Sequence, residues 1–291
     1  MNREFNGETA VYGVIGDPVS HSLSPQIHGY FAGLCKKGED GVNMAYVPFH
    51  VKGDELAYAI KGAHSLGIRG LNVTLPHKRA VMPYCVSIDS MAQKVQSVNT
   101  LLWAKDGYIG YNTDYIGIKR TVAALNMTFK DCHVAVLGAG GSAYAAVIAA
   151  ADGGAGRITI INRTVENAVS LASHVKTYYN MSIKVDTFGT RLKSNPDIVI
   201  QTTTIGFGEA KDKSPITDYD FFRGVKLAFD IIYTPKETVF LCQAKEAGVP
   251  AIANGFPMLV YQAAAAFGLW HKKIPDEEAH IKILAEGLYS N

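Results

Sequence analysis

The chain has 291 residues, of which 48% are hydrophobic and 19% are charged, and its formal net charge is +2. This composition is typical of a folded globular protein and excludes a disordered chain, and the length predicts one large or two ordinary domains. No basic block stands out, so a nucleic-acid partner is not expected.

The cysteines and the longest apolar stretch bear on where the protein works. None of the four cysteines forms a C-x-x-C pair: they are Cys35, Cys85, Cys132 and Cys242. Such spacing predicts reduced thiols and a cytoplasmic protein. The N-terminal residues lack the apolar core of a secretory signal. Residues 258–270 are apolar but too short to span a membrane and contain Gln262, so they predict a core helix and no membrane association.

Strand-like and helix-like segments alternate through the first half of the chain. The first strand is predicted at residues 10–16, and the helix after it is predicted with Ser24 as its N-cap and Pro25 as its first residue. An Asp106–Gly107 turn predicts two short strands within residues 99–112. The other elements predicted in this half are strands at 44–51 and 70–75 and helices at 54–66 and 113–126.

A second alternation begins at residue 133. Strands are predicted at 133–138, 157–162, 197–203 and 227–233, and helices at 141–152, 164–175, 255–271 and 276–289. Alternation of this kind predicts α/β architecture, with parallel sheets covered by helices on both faces. The best hinge candidates lie near Asn112 and Asn254.

A glycine-rich loop follows the strand that begins at residue 133. Gly138, Gly140 and Ala143 fit the pattern G-x-G-x-x-A between a strand and a helix. The first glycine permits a tight turn, the second leaves room for a pyrophosphate, and the small third residue allows the helix to pack closely. The free N–H groups of the helix terminus would face the phosphates. The pattern predicts dinucleotide binding; the alternative is a flexible turn.

The segment after the next strand bears on which dinucleotide would bind. An NAD site usually has an acidic residue there, but this chain has Asn162, Arg163 and Thr164. An arginine can stack on adenine and pair with a 2′-phosphate, which favours NADP over NAD. The alternative is that Thr164 caps a helix and Arg163 lies in solvent.

The stretch "LNVTLPHKRAV" at residues 71–81 has two interpretations. Asn72 and Thr74 end a predicted strand, and Lys78 follows two residues after Pro76. One interpretation is a strand edge followed by a helix with its lysine in solvent, which is where most lysines lie. The other is a ligand site at the carboxyl end of a strand.

Several motifs, taken in order, give the chain a resemblance to the shikimate dehydrogenase family, which includes quinate/shikimate dehydrogenases. They cover nearly the whole chain: "YGVIGDPVSHSLSPQIH", "GLNVTLPHK", "SVNT", "YNTD", "VLGAGGSA", "INRT", "FDIIYTP" and "GFPMLVYQAAAAFGLW". The resemblance implies two α/β domains with a cleft between them. Residues 1–113, completed by helices at 255–291, would form the substrate domain, and residues 114–254 a Rossmann-type NADP domain.

The resemblance also implies a reaction and two catalytic residues. The reaction is the reversible NADPH-linked reduction of 3-dehydroshikimate to shikimate, in the biosynthesis of chorismate and aromatic amino acids. Lys78 resembles the catalytic lysine of the family and Asp114 its carboxylate partner. An ammonium group can stabilise a developing alkoxide and give it a proton.

The resemblance further implies a set of residues that bind the substrate. Ser22 and Ser24, helped by Tyr233, would bind the carboxylate; Asn72, Asn99 and Gln262 would bind hydroxyls, and Thr74 would line the same pocket. Other interpretations stay open, because Ser24 could be only a helix cap, the two asparagines could fix turns, and Gln262 could be a core amide.

The cofactor contacts implied by the resemblance are Gly138, Ala139, Gly140, Gly141, Ser142, Ala143, Asn162, Arg163, Thr164, Thr203 and Gly255. The expected cofactor is NADP, with NAD less favoured. The chain departs from the family where a second basic residue often follows "NRT", since Glu166 and Asn167 stand there. It also has "QTT" at 201–203 where "NAT" is common.

The sequence is also compatible with two rival functions. One is the same fold with quinate as the preferred substrate, because a pocket that merely fails to exclude a hydroxyl discriminates weakly. The other is a non-catalytic dinucleotide-binding sensor, which would not need Lys78 and Asp114. No metal is expected, because His21, His28 and His77 lack zinc-ligand spacing and are interpreted as loop and helix-surface residues. The expected assembly is a monomer or a homodimer.

Overall fold

The structure is a computed structural model that describes residues 5–35, 41–189, 195–273 and 277–289. The chain divides into two compact units. The first unit comprises the residues up to Thr113 and those from Val260 onward, and the second comprises Asp114–Leu259.

The first unit is built on a six-stranded sheet. Its strands are β1 (Ala10–Gly16), β2 (Met44–His50), β3 (Gly70–Val73), β4 (Cys85–Ile88), β5 (Thr100–Ala104) and β6 (Gly107–Tyr111). Its helices among residues 1–113 are α1 (Ser24–Leu34), α2 (Leu56–Ser65), α3 (His77–Ala80) and α4 (Ser90–Val95). The strand order in the described residues is β2-β1-β3-β5-β6-β4. β5 runs antiparallel to both β3 and β6, whereas the other pairs are parallel.

The second unit begins with α5 (Asp114–Ala124) and contains a parallel sheet. Its strands are β7 (His133–Leu137), β8 (Arg157–Ile161), β9 (Ile183–Asp186), β10 (Ile198–Gln201), β11 (Leu227–Asp230) and β12 (Ala251–Ala253). Its further helices are α6 (Gly141–Asp152), α7 (Val165–Lys176) and α8 (Val239–Glu246). The strand order is β12-β11-β10-β7-β8-β9, which is the doubly wound order of Rossmann-type domains. The order reverses between β7 and β10, and such a fold binds its ligands outside the carboxyl ends of the strands at this point.

The last two helices are α9 (Phe256–His271) and α10 (Glu277–Tyr289). The apolar composition of α9 predicts a core helix, and its later residues pack in the first unit, where Trp270 Nε1 donates a hydrogen bond of 3.1 Å to the carbonyl of Leu101. A Cβ atom added at Gly70 would collide with the Trp270 indole, so a glycine in β3 allows this close approach. No helix in the described ranges has both the length and the apolar character that a membrane crossing requires.

The structure confirms the α/β class and the predicted strand–helix alternation, and corrects the prediction in two respects. Ser24 is the first residue of α1, and its N-cap is Leu23, which makes no side-chain cap. Leu23 already has helical φ and ψ angles of −81° and −5°, so the helix begins one residue earlier than predicted. The prediction also missed five elements: α4, α8, β4, β9 and β12.

Candidate active site

The reversed direction of β5 brings three segments of the first unit to one edge of the sheet. Because β5 is antiparallel to β3 and β6, its beginning meets the ends of these two strands. Asn72 lies in β3, Asn99 stands directly before β5, and Thr113 follows β6. All three are buried, although each has a polar side chain. Buried polar groups need hydrogen-bond partners, so the network at this edge positions the side chains.

Asn99 is the centre of this network. Its Oδ1 accepts hydrogen bonds from the Thr113 N–H at 2.7 Å and from Thr100 Oγ1 at 3.0 Å. Its Nδ2 donates to Thr113 Oγ1 at 3.0 Å and to Gln262 Oε1 at 3.4 Å. Gln262 lies on α9, so the helix and the sheet of the first unit meet at this amide. The structure thus brings Asn99 and Gln262 together, as expected for two residues of one pocket.

Asn72 lies within a strand and not in a turn. Its Nδ2 donates to Thr100 Oγ1 at 3.1 Å and to the carbonyl of Asn99 at 3.3 Å. Its Oδ1 accepts a hydrogen bond of 2.7 Å from the hydroxyl of Tyr46 on β2. Asn72 therefore joins the network of Asn99 to the edge strand of the sheet.

The two serines lie at the beginning of α1. Ser24 is buried, and its backbone N–H donates to Ser22 Oγ at 3.3 Å. The Ser24 hydroxyl is close enough to Tyr46 to oppose the rise that burial imposes on the pKa of that tyrosine. Ser24 and Asn72 thus share Tyr46 as a neighbour.

Thr74 and Lys78 follow β3. Gly16 at the end of β1 allows the close approach of Thr74, because a Cβ atom at this glycine would collide with Thr74 Cγ2. Lys78 lies on α3 and is half-buried, which argues against the interpretation as a solvent-facing lysine. Its carbonyl accepts a hydrogen bond of 2.8 Å from the Val98 N–H, so the turn that carries Lys78 is fixed next to the segment of Asn99.

The glycine-rich loop of the second unit lies between β7 and α6. Gly138 has φ of +115°, and a Cβ atom there would lie 2.7 Å from Thr202 Oγ1, so glycine is required by both backbone and space. Gly140 is exposed, and a Cβ atom there would have no neighbour within 4 Å. Ala143 is fully buried in α6. Ala139, Gly141 and Ser142 are half-buried along the same turn.

This loop has the form that a pyrophosphate requires. The beginning of α6 offers N–H groups that have no acceptor in the first helical turn, and Gly140 leaves open space in front of them. The residues present therefore fit a dinucleotide.

Asn162, Arg163 and Thr164 follow β8, the strand next to β7. Asn162 Nδ2 donates to the carbonyl of Thr164 at 2.8 Å and fixes the turn, while Arg163 is exposed beyond it. Thr164 is the N-cap residue of α7, but its side chain makes no capping hydrogen bond. The side chains of Arg163 and Thr164 are thus exposed at the carboxyl edge of the sheet, where a ribose or a 2′-phosphate can be reached.

Three more predicted residues follow the other strands of this sheet. Thr203 follows β10, and its N–H donates to Gln201 Oε1 at 2.5 Å, so the glutamine of "QTT" shapes this loop from within. Tyr233 follows β11, and burial raises its pKa. Gly255 follows β12 and comes so near Ile231 that a Cβ atom there would collide with its carbonyl. The carboxyl edge of the second sheet thus carries the whole predicted cofactor set.

Asp114 is the first residue of α5 and of the second unit. It is 4% exposed, which sets it apart from an ordinary surface carboxylate. The chain passes directly from Thr113, in the buried network of Asn99, to this residue.

The sequence analysis missed three residues of the first network and misplaced two histidines. The missed residues are Tyr46, Thr100 and Thr113.

His28 and His77 were interpreted as surface residues, but they are 0% and 1% exposed, whereas His21 is exposed. The interpretation was wrong because His77 Nε2 bonds to the carbonyl of Val51 at 2.6 Å and His28 packs among aromatic rings. Within the described residues, no group of three or more His, Cys, Asp or Glu side chains could hold a metal ion.

Comparison with known proteins agrees with this arrangement. The family model described as "Shikimate dehydrogenase substrate binding domain" matches residues 14–101, and the model "Shikimate / quinate 5-dehydrogenase" matches residues 121–206. A relative from Bacillus anthracis named shikimate dehydrogenase (NADP(+)) is 39% identical over 270 residues, which cover 92% of this chain and 95% of the relative.

Solved structures of shikimate dehydrogenases are similar to this chain over nearly its full length. A shikimate dehydrogenase crystallised with NADP+ has a TM-score of 0.88 and 36% identity, with 98% of each chain covered. The shikimate 5-dehydrogenase of Listeria monocytogenes, in complex with shikimate and NAD, has a TM-score of 0.87 and 27% identity, and the match covers 98% of this chain and 99% of that one. With the glycine loop at the switch point of one sheet and a buried amide network at the edge of the other, the chain belongs to the shikimate dehydrogenase family.

Proposed function

We propose that this chain catalyses the reversible, NADPH-linked reduction of 3-dehydroshikimate to shikimate, a step in the biosynthesis of aromatic amino acids. The observation that carries the proposal is its near-full-length similarity to relatives named as NADP-dependent shikimate dehydrogenases. The buried polar residues of the first unit support it, because a polyhydroxylated ring acid needs many fixed donors and acceptors.

In this proposal the first unit binds the substrate. Asn72, Asn99 and Gln262 meet the ring hydroxyls, and Thr74 lines the same pocket. Their amides are buried and already connected by hydrogen bonds, so little side-chain entropy is lost on binding. Ser22 and Ser24 bind the carboxylate from the beginning of α1, with Tyr233 as a further donor.

Lys78 and Asp114 carry the proton transfer in this proposal. When bound, NADPH supplies the hydride for the ketone carbon. Lys78 stabilises the negative charge that develops on the ketone oxygen and gives it a proton. Asp114 orients the ammonium group and accepts a hydrogen bond from a ring hydroxyl. The half-buried position of Lys78 and the burial of Asp114 support these roles, because charge stabilisation is stronger away from water.

The second unit holds the cofactor in this proposal. The N–H groups at the beginning of α6 and the open space at Gly140 receive the pyrophosphate, and Arg163 pairs with the 2′-phosphate of NADP. Thr203 and Gly255 line the same edge of the sheet. Glu166 and Asn167 add no second positive charge, so the preference for NADP over NAD rests on one arginine.

The test is a steady-state assay of reduced-nicotinamide absorbance with shikimate or quinate and with NADP or NAD. We expect the largest kcat/KM with shikimate and NADP. A larger kcat/KM with quinate would instead identify a quinate dehydrogenase. Cofactor binding without turnover of either acid would identify a non-catalytic sensor.

We also propose a cytoplasmic enzyme that acts as a monomer or a homodimer without a nucleic-acid partner. The four cysteines are free thiols, which supports a reducing compartment, and a net charge of only +2 does not favour a nucleic-acid partner. Light scattering after size-exclusion chromatography would give the oligomeric state.

A further inference from the structure

We propose that Tyr46 is a positioning residue that fixes the orientation of the Asn72 side chain in the substrate pocket. The inference rests on the proposed function and adds to it a residue outside the family motifs quoted above. Tyr46 lies on β2, an edge strand of the first sheet, and its hydroxyl is 2.7 Å from Asn72 Oδ1.

The hydrogen bonds around Asn72 determine which way its amide points. One neighbour of the amide nitrogen is the carbonyl of Asn99, at 3.3 Å, and a carbonyl can only accept. Nδ2 must therefore face Asn99, and Oδ1 must face Tyr46. It follows that the hydroxyl of Tyr46 is the donor in this pair. By donating to Oδ1, Tyr46 stabilises the amide of Asn72 in the orientation that the Asn99 carbonyl requires.

The ring of Tyr46 is itself held in one place. It stacks on the ring of His28, with the centroids 4.3 Å apart and an interplanar angle of 7°, and it lies 6.2 Å from the ring of Trp270. His28 is fully buried, and neither of its ring nitrogens has a hydrogen-bond partner of ordinary geometry among the described residues. His28 therefore serves as a flat packing surface for the tyrosine ring.

The same tyrosine lies next to the serine assigned to the substrate carboxylate. Ser24 and His28 are four residues apart on α1 and so share one face of this helix. The Ser24 hydroxyl is close enough to Tyr46 Oη to influence it, as described above. Tyr46 therefore links a residue proposed to bind the carboxylate with one proposed to bind a ring hydroxyl. Removing its hydroxyl leaves the buried Oδ1 of Asn72 without this donor.

The test compares Tyr46→Phe with Tyr12→Phe. The first variant keeps the ring on His28 and removes only the hydroxyl. Tyr12 is the matched control, because it pairs with Tyr46 in register on β1 and packs on Trp270 at 5.0 Å. We expect Tyr46→Phe to raise the KM for shikimate about 3–10-fold, the equivalent of one hydrogen bond, with kcat and the KM for NADP nearly unchanged. Tyr12→Phe should leave all three constants unchanged.

A double-mutant cycle separates positioning from general destabilisation. On an Asn72→Ala background, Tyr46→Phe should add little to the KM for shikimate, because the amide that it orients is gone. The same fold-change on both backgrounds, or a KM equal to that of wild type in Tyr46→Phe, would overturn the inference and leave the proposed function intact. Wild-type protein that turns over no shikimate would overturn both. If a variant has a low melting temperature, the dissociation constant of shikimate can be measured by titration at a temperature where the variant is folded, and the same comparison is then made with these constants.

Discussion

The carboxylate of Asp230 accepts a hydrogen bond of 2.7 Å from Thr238 Oγ1, and both residues are almost completely buried. The same carboxylate accepts from the Ile232 N–H at 3.0 Å. These two bonds close the loop between β11 and α8 that carries Tyr233. Thr238 also caps α8, because its Oγ1 accepts from the Leu241 N–H at 3.3 Å. Asp230 thus fixes both the loop and the helix after it.

Asp230 should make the stability of the protein depend on pH near neutrality. Burial raises its pKa from 3.8 to about 7, against the effect of its two hydrogen bonds. Between these values the folded protein keeps a proton that the unfolded chain releases, so stability falls as the pH rises through this window. Asp230→Asn removes this titration. We expect the melting temperature of wild type to fall relative to that of Asp230→Asn between about pH 4 and pH 7, by the equivalent of at most about 4 kcal/mol. A constant difference across the window would contradict the assignment.

Lys78→Ala should fold, bind NADP(H) and lose turnover. Removal of a general acid–base group typically lowers kcat about 10²–10⁴-fold. The control is Lys61→Ala, which removes an exposed lysine on α2 of the same unit. Turnover close to wild type in Lys78→Ala, with the protein folded, would refute the proton-transfer role. Titration of NADPH fluorescence would show whether cofactor binding is intact.

Arg163→Ala should weaken the binding of NADP and leave the binding of NAD unaffected, because only NADP has the 2′-phosphate. A hydrogen bond to a charged group contributes about 1.5–3 kcal/mol, so we expect the KM for NADP to rise about 10-fold or more. Asn167→Arg should act in the opposite direction by adding the basic residue that the chain lacks. Equal effects of Arg163→Ala on both cofactors would show that the arginine contacts a part they share.

Substitution by alanine should have different effects at two glycines of the glycine-rich loop between β7 and α6. Gly140 has φ of −83° and open space around it, so Gly140→Ala should leave the melting temperature unchanged but raise the KM for NADP about 10-fold or more, because the methyl group occupies the space for the pyrophosphate. Gly138→Ala should instead destabilise the fold by about 1–3 kcal/mol, because alanine at φ of +115° is strained and meets Thr202. The reverse pattern would place the cofactor elsewhere.

His28 should make the first unit sensitive to acid. Burial, and to a lesser extent the nearby His271, lower the pKa of His28 to about 3, while the Asn72 side chain opposes the shift. As the pH falls from about 6.5 towards 3, the unfolded chain binds a proton that the folded protein does not, so stability is lost, by at most about 5 kcal/mol. His28→Phe keeps the stacking surface and cannot take up the proton. Its melting temperature should fall less than that of wild type between pH 7 and pH 4.5, and parallel decreases would disprove the assignment.

Local patterns made the cofactor side of the fold predictable. Gly138, Gly140 and Ala143 lie within six residues of one another. This short pattern, together with the apolar residues before and after it, indicates the strand, the turn and the helix. The strands that were missed, β4, β9 and β12, are all at the edges of their sheets. These three strands have only three or four residues each and are largely half-exposed or exposed, so their apolar residues show no clear period of two.

The contacts of the substrate side depend on long-range pairing. Asn99 and Gln262 are 163 residues apart and meet only because β5 runs against its neighbours and α9 packs on the same sheet. The family motifs indicated both residues but not their bond. Tyr46 was missed because its partner Asn72 is 26 residues away on another strand, and the register between strands is not visible in the sequence.

The division of the chain also sets the order in which the protein can assemble during synthesis. The second unit is one continuous segment, Asp114–Leu259, and it can fold as soon as this segment has left the ribosome. The first unit is interrupted, because Gln262 and Trp270 are made after the whole second unit. Until then, Asn99 lacks its partner on α9 and the face of β3 at Gly70 is uncovered. The second unit can therefore fold before the first unit is complete, and a chain that ended at Leu259 would contain only the second unit in full.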